Sequence, residues 1–330
     1  MKKLLAWLVL LSVLAAAAWA FLLFYPKTLP ENYHLKIEAG QGLSSVSRQL
    51  ASDGVIYRRE ALLLAVRATG MDTSLHQGSY RLSGRMSAWQ VLQRLLAGSP
   101  DTVTVRIVEG WPFTQIRGVL ADNPNLQHRT AALSPMEILR KIDPDAPQTH
   151  PEGLLFPDTY MFADASDDLT VYRHAYRTMQ GHLQRVWDNR ADGLPYQNPY
   201  ELLIMASIVE KETGLSAERD LVAAVFVNRL KIGMRLQTDP SVIYGMGEAY
   251  DGNIRKADLQ RDTPYNTYTR AGLPPTPIAA PSLASLQAAA HPADVPYLYF
   301  VSKSDGSGES YFSRDLSEHN AAVRRYILKK

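Results

Sequence analysis

The sequence predicts an α+β fold: a single N-terminal transmembrane helix, a small α/β module and a mainly helical domain with β-hairpins. Three observations lead to it. An uncharged apolar run extends from Leu4 to Tyr25, ended by Pro26-Lys27. Short alternating segments follow, each leading into apolar residues at near-helical spacing. Past a proline-rich break at 143–151, helical spacing dominates until two aromatic segments flank Asp305-Gly306-Ser307-Gly308, a hairpin signal.

The first run matches the roughly 20 apolar residues that cross a hydrocarbon core of about 30 Å. Ala18-Trp19-Ala20 loosely resembles a signal-peptide cleavage site, but the apolar run continues through Phe21 to Tyr25. That exceeds the usual signal core of about 7–15 residues, so residues 1–28 are expected to be a cytoplasmic stub and membrane anchor. Lys2 and Lys3 favour a cytoplasmic N-terminus, with the remainder outside. In a chain of 330 residues with no cysteine, attachment through a lipidated cysteine, thiolate catalysis and Cys-ligated zinc are all excluded.

The module is placed at 33–100. His34-Leu35-Lys36-Ile37 reads as a strand and Gly40-Gln41-Gly42 as a turn. Leu43, Val46, Leu50 and Val55 then recur at near-helical spacing, and further helices cover Leu62–Val66 and Trp89–Leu96. Val103 to Val108 alternates strictly, predicting a half-buried strand, and a helix is expected from Thr114 to Leu120. Residues 101–148 form a small strand-helix connecting subdomain in this reading, and 149–330 the main domain.

Asn198-Pro199-Tyr200-Glu201 is a helix start: a capping Asn, a Pro at the first helical position and a Glu able to reach back. Apolar residues from Leu202 to Val209 surround the helix that follows, so it should be buried, with Gly214 as terminator. Its last turn carries Glu210, Lys211 and Glu212. Helical spacing puts Glu210 beside Leu203, Ala206 and Ser207, and Glu212 nearly opposite, over Met205 and Ile208. A carboxyl at a helix C-terminus among apolar groups is disfavoured as the ion, which suits a general acid. The plainer alternative is that both glutamates flank a helix end and pair with Lys211 or Arg219.

Other chemistries lack their signatures. There is no Gly-x-Ser-x-Gly elbow, Ser-x-x-Lys pair, His-Glu-x-x-His helix or Walker loop. The eight histidines are scattered without metal-ligand spacing, and His291 and His319 read as structural groups; no metal or cofactor is expected. A formal charge of +2 and no long basic run argue against nucleic acid. Gln237, Thr238 and Asp239 sit at a strand-to-helix junction, where either Asp239 caps the helix or the group bonds a sugar or sets a second charge opposite Glu210. Tyr244, Asn266 and Tyr268 combine aromatic faces with hydrogen-bonding groups that suit sugars or an ordinary loop core.

Four motifs in order carry a resemblance: Glu152-Gly-Leu-Leu-Phe-Pro-Asp-Thr-Tyr160, Ala206-Ser-Ile-Val-Glu-Lys-Glu-Thr213, Leu236-Gln-Thr-Asp-Pro-Ser-Val-Ile-Tyr-Gly245, and Tyr265-Asn-Thr-Tyr268 leading to Gly272-Leu-Pro-Pro275. The chain resembles the endolytic murein transglycosylases of the YceG-like family (MltG) over essentially its whole length. Thr276 departs from the pattern, where Gly is expected. The resemblance implies that 33–100 is a LysM-like module and 149–330 a catalytic domain in the periplasm, anchored in the inner membrane. It implies Glu210, the first Glu of Glu-Lys-Glu-Thr, as the catalytic residue. Candidate substrate-binding residues are Glu152, Ser207, Gln237, Thr238, Asp239, Tyr244, Asn266 and Tyr268. The implied substrate is the glycan strand of nascent peptidoglycan, cut between MurNAc and GlcNAc to leave 1,6-anhydroMurNAc ends, and the implied partners are peptidoglycan synthases. A non-catalytic peptidoglycan-binding protein and a water-using muramidase remain as alternatives.

Overall fold

The computed structural model describes residues 2–31, 33–38, 40–71, 74–76, 78–98, 102–163 and 166–328. Met1, the expected boundary at 100/101 and residues 329–330 lie outside them. The chain divides into two compact units, one of residues 1–104, 124–127 and 161–167, the other of 105–123, 128–160 and 168–330.

The smaller unit begins with α1 (Lys2–Phe24), a helix long and apolar enough to cross a membrane. The strands β1 (Lys27–Thr28) and β2 (Tyr33–Ile37) follow, then α2 (Leu43–Ser52), α3 (Arg59–Thr69), β3 (Gly78–Leu82), β4 (Arg85–Met86) and α4 (Ala88–Leu96). Alternation in β2 turns Leu35 and Ile37 inward, and its antiparallel pairing with β3 sets Leu35 opposite Tyr80. Apolar residues at helical spacing bring Val46, Leu50, Leu62, Val91, Leu92 and Leu95 onto that face, all fully buried. Each large side chain buried this way contributes about 1.5–3 kcal/mol. Ser87 and Gln90 form a capping box that starts α4. Short strands return later: β5 (Thr102–Arg106) pairs with β7 (Thr159–Ala163), and β6 (Leu126–Gln127) pairs in parallel with β8 (Ser166–Asp167).

The larger unit is helical: α5 (Phe113–Ala121), α6 (Pro135–Ile142), α7 (Asp168–Asp188), α8 (Pro199–Glu212), α9 (Arg219–Lys231), α10 (Asp239–Met246), α11 (Lys256–Gln260), α12 (Leu283–Ala290) and α13 (Leu316–Tyr326). Among the described residues it has one hairpin, β9 (Tyr299–Ser302) with β10 (Ser310–Ser313), rather than the several expected. The segment 101–148 is shared between the two units: residues 105–123 and 128–148 lie in the larger, 102–104 and 124–127 in the smaller. Phe113, Ile116 and Leu120 of α5 and Ile138 and Leu139 of α6 are buried, and α6 packs on α7.

At the centre lies α8, packed by α7, α9, α10 and α12. It starts as its sequence predicts: the Asn198 side chain accepts the Glu201 N–H at 3.1 Å, and the Glu201 carboxylate reaches back to the N–H of Gln197 at 2.7 Å. Leu202 to Val209 are all buried. It ends differently. Thr213 is already extended (φ −138°, ψ 132°), so the helix stops at Glu212, two residues before Gly214.

Asp168, 2% exposed at the start of α7, accepts the N–H groups of Arg129 (3.0 Å) and Thr130 (3.1 Å) and the Thr130 hydroxyl (2.6 Å). Asp168→Ala leaves three donors unpaired, two of them buried. Chemical denaturation should show a loss of roughly 2–4 kcal/mol with the helix content unchanged before the transition.

Candidate active site

The two glutamates at the end of α8 occupy different surroundings. Glu210 Oε2 accepts three hydrogen bonds from the start of α12: the Ser282 N–H at 2.9 Å, the Ser282 hydroxyl at 2.5 Å and the Ser285 hydroxyl at 2.7 Å. The Ser282 hydroxyl also caps α12 by accepting the Ser285 N–H. The C-terminal end of α8, foreseen in the sequence, is therefore answered by the N-terminal end of a second helix that was not. Gly110 closes this side. It holds a φ of +74°, donates to Ala280 O at 2.8 Å and accepts from Lys211 Nζ at 3.2 Å. A Cβ there would stand 3.9 Å from Glu210 Cγ, and the left-handed backbone itself favours glycine.

Glu212 faces a cavity of about 420 Å³ lined by Phe226, Arg229, Gln237, Asp239, Tyr268, Tyr299, Phe300, Leu316 and His319. That volume lies within the usual range of small-ligand pockets, about 300–1,000 Å³. One carboxyl oxygen takes a hydrogen bond from the Thr238 hydroxyl. Burial pushes the Glu212 carboxyl above the usual range; the Thr238 bond opposes this, the Asp239 charge adds to it and the Arg229 charge opposes it. Arg229 is itself buried, donating Nε–H to Leu298 O at 2.7 Å, with its guanidinium 5.2 Å from the Tyr299 ring centre. Tyr268 donates to Asp239 Oδ1 at 2.5 Å. Gln237 is held at φ +50°, a left-handed conformation costly for a residue with a Cβ, at the cavity wall. His319 stacks on Tyr299 with centroids 5.2 Å apart, and among the described residues its Nδ1 has no hydrogen-bond partner. The sequence reading of His319 as a satisfied structural group does not hold there.

The other candidates divide by what they touch. Gln237, Thr238, Asp239 and Tyr268 gather around Glu212, not Glu210. Ser207 is fully buried, donating to Ile204 O at 2.7 Å and accepting from Ile278 N at 3.0 Å, which pins the 276–280 loop to α8. Asn266 is fully buried too; its amide donates to the carbonyls of Asp258, Leu259 and Arg261 and its oxygen accepts the Tyr268 N–H, fastening the loop that presents Tyr268. Glu152 accepts the Phe113 N–H at 3.0 and 3.1 Å and the Tyr244 hydroxyl at 2.9 Å. A larger groove of about 740 Å³, lined by Arg185, Asn189, Arg219, Asp220, Gln287 and His291 among others, includes neither Glu210 nor Glu212. Among the described residues no cluster of three or more metal-ligating side chains occurs.

A profile of the YceG-like family matches residues 35–325. The chain belongs to the YceG-like family. An endolytic murein transglycosylase of Bacillus subtilis (strain 168) is 32% identical over 317 residues, 90% of this chain and 85% of that protein. The protein of the same name from Streptococcus pneumoniae is 25% identical over 327 residues, 89% of this chain but 58% of the pneumococcal one. A YceG-like protein from Listeria monocytogenes, solved by crystallography, superimposes with a TM-score of 0.54 at 30% identity, covering 88% of this chain and 99% of that one. Within this YceG-like chain, sequence reasoning did not group Glu212, Arg229, Tyr299 and His319 with Gln237, Asp239 and Tyr268, which line the same cavity. Glu212 had a visible signal, a second acid in the motif on the opposite helix face; the other three meet it only through tertiary packing.

Burial pushes the Glu152 carboxyl up to about 7, although the Tyr244 and Phe113 bonds oppose the shift. A folded value above the unfolded one means that stability is fully present below pH ~4.5 and is lost as pH rises through about 7, by on the order of 3 kcal/mol. Glu152→Gln should flatten that fall. Thermal melts from pH 4.5 to 8.5 should show a smaller decline in Tm for the variant than for the parent.

Proposed function

We propose that this chain is a membrane-anchored endolytic murein transglycosylase whose acid and base is Glu212. The observation that carries the assignment is the cavity: Glu212 faces open, polar, aromatic-lined space, whereas Glu210 Oε2 is spent on the cap of α12. The names of the relatives supply the substrate class, and the four motifs support reading the whole chain in that light.

In this reading the protonated Glu212 gives its proton to the glycosidic oxygen between MurNAc and GlcNAc as positive charge develops at the anomeric carbon. The resulting carboxylate then takes the proton of the MurNAc 6-hydroxyl, whose oxygen closes onto that carbon. One strand leaves with a 1,6-anhydro end, the other with a free GlcNAc hydroxyl, and no water is consumed. One carboxyl serves both steps, unlike the paired carboxylates, about 5–9.5 Å apart, of most glycosidases. Tyr268, Tyr299 and Phe300 offer faces for sugar rings; Asp239 and Gln237 offer hydrogen bonds. Asp239 also holds negative charge near the developing cation. Glu210 is then a positioning residue, tying the end of α8 to α12. The β-α-α-β order of β2, α2, α3 and β3 supports the LysM-like reading of the smaller unit, with glycan as its ligand; α1 supports a single-pass anchor, and Lys2 and Lys3 at its start favour an enzyme in the periplasm.

Digestion of purified sacculi with separation of the products tests this. Glu212→Gln should lower the yield of anhydromuramyl ends by about 10²–10⁴-fold, while Glu210→Gln retains measurable product and loses thermal stability instead. The reverse pattern would return the chemistry to Glu210. Reducing ends in place of anhydro ends would make the chain a water-using muramidase, and no products at all a binding protein.

The pH profile offers a second check. Glu212 must start protonated, so the rate should fall as pH rises past its raised value. The Asp239 charge helps to hold that value up, so Asp239→Asn should move the alkaline limb to lower pH.

A further inference from the structure

The end of α1 does not leave the smaller unit as a free tether. Leu23 is 1% exposed and belongs to the same core as Leu35 and Leu62. One turn earlier, the Trp19 indole donates to Ala61 O on α3 at 3.1 Å. Aromatic rings collect around this exit: Phe21 stacks on Tyr25 (4.5 Å), Phe21 meets Tyr57 (6.0 Å), and Phe24 meets Trp89 of α4 (6.0 Å). Lys27 Nζ stands 5.2 Å above the Tyr57 ring. Apart from α1 and Tyr25 at its end, Tyr57 at 36%, Leu64 at 55% and Met161 at 68% are the large exposed apolar side chains among the described residues of this unit.

Helix length sets the level at which this contact lies. A hydrocarbon core of about 30 Å entered at Leu4 takes about 20 residues at about 1.5 Å each, so its far boundary falls near Leu23. Any tilt carries the boundary further along the helix. Trp19 and the Ala61 carbonyl it touches therefore lie about 6 Å inside that boundary, roughly one helical turn. A unit fixed to α1 at that depth has to enter the lipid. The residues it brings fit the place: Trp and Tyr prefer the headgroup level, and Lys27, Arg58 and Arg59 suit anionic headgroups.

We propose that the smaller unit is itself a membrane-interface element. The side of the unit at which α1 leaves it, where Tyr57 and Leu64 are exposed, sits in the headgroup and upper acyl region of the bilayer that α1 spans. The partner is the lipid surface. The inference rests on the reading of α1 as a spanning anchor. It adds that the module is held against the membrane, with no freedom to swing on a linker, so glycan bound there is kept at a fixed height above the bilayer.

The absence of cysteine allows single-site spin labelling of the whole chain in phospholipid nanodiscs. Nitroxides are placed at Leu64→Cys and Leu11→Cys, and their relaxation by oxygen, which concentrates in lipid, is compared with that by a water-soluble nickel complex. Leu11 should be dominated by oxygen, and Leu64 should also favour oxygen, with nickel accessibility several-fold below that of the same label on the detergent-free peptide of residues 59–69. An oxygen-dominated Leu11 beside a nickel-dominated Leu64 would overturn the interfacial placement while leaving the anchor intact. A nickel-dominated Leu11 would overturn the anchor, and the placement with it.

Discussion

The larger unit depends on one constraint, the burial of α8 on every side. Residues Leu202 to Val209 are all enclosed, and α7, α9, α10 and α12 supply the walls. A helix without a solvent face has no freedom to rotate, so the directions of its last side chains are set by the core. With about 100° between successive residues, two carboxylates two positions apart must point to nearly opposite walls. Their environments then differ because the walls differ.

On one wall stands the start of α12, which needs a hydrogen-bond partner for its N–H groups and hydroxyls; Glu210 supplies it. The pair closes the end of one helix on the beginning of another, charge against dipole. On the other wall the chain leaves space. The strained backbone at Gln237, the buried Arg229 and the Tyr268 and Asp239 pair frame Glu212 without filling the volume in front of it. An unfilled polar cavity costs stability and is retained where a ligand occupies it. Ser207 and Asn266 contribute at one remove, since their bonds fix the loops that form these walls.

Glu152 is a further buried acid in the larger unit, with a different part to play. Its carboxyl joins the start of α5 to Tyr244 of α10, and so ties together segments far apart in sequence. The energetic consequence is a fold that tightens as the carboxyl is protonated. The smaller unit obeys a simpler rule, in which a two-stranded pair is covered by three helices and the last turn of α1 completes the core.

Local signals alone determined much of this protein. The cap and proline of Asn198-Pro199 start α8, the alternation at Tyr33–Ile37 makes a strand, and the Asp305-Gly306-Ser307-Gly308 turn makes a hairpin, because each depends on neighbours within a few residues. The four motifs likewise carried the family. Which glutamate meets a cavity was not local: Ser282 reaches Glu210 across 72 positions, and Thr238 reaches Glu212 across 26. The sequence reading could separate the two faces of α8 but not tell which was filled. The resemblance assigned the chemistry to Glu210, and helical spacing set small residues beside it; Ser207, one of them, binds the 276–280 loop. The space those small residues left was taken by packing from α12 and by Gly110. Only the tertiary structure decided that, because the desolvation and hydrogen bonding that set a carboxyl's chemistry come from whatever the fold brings alongside it.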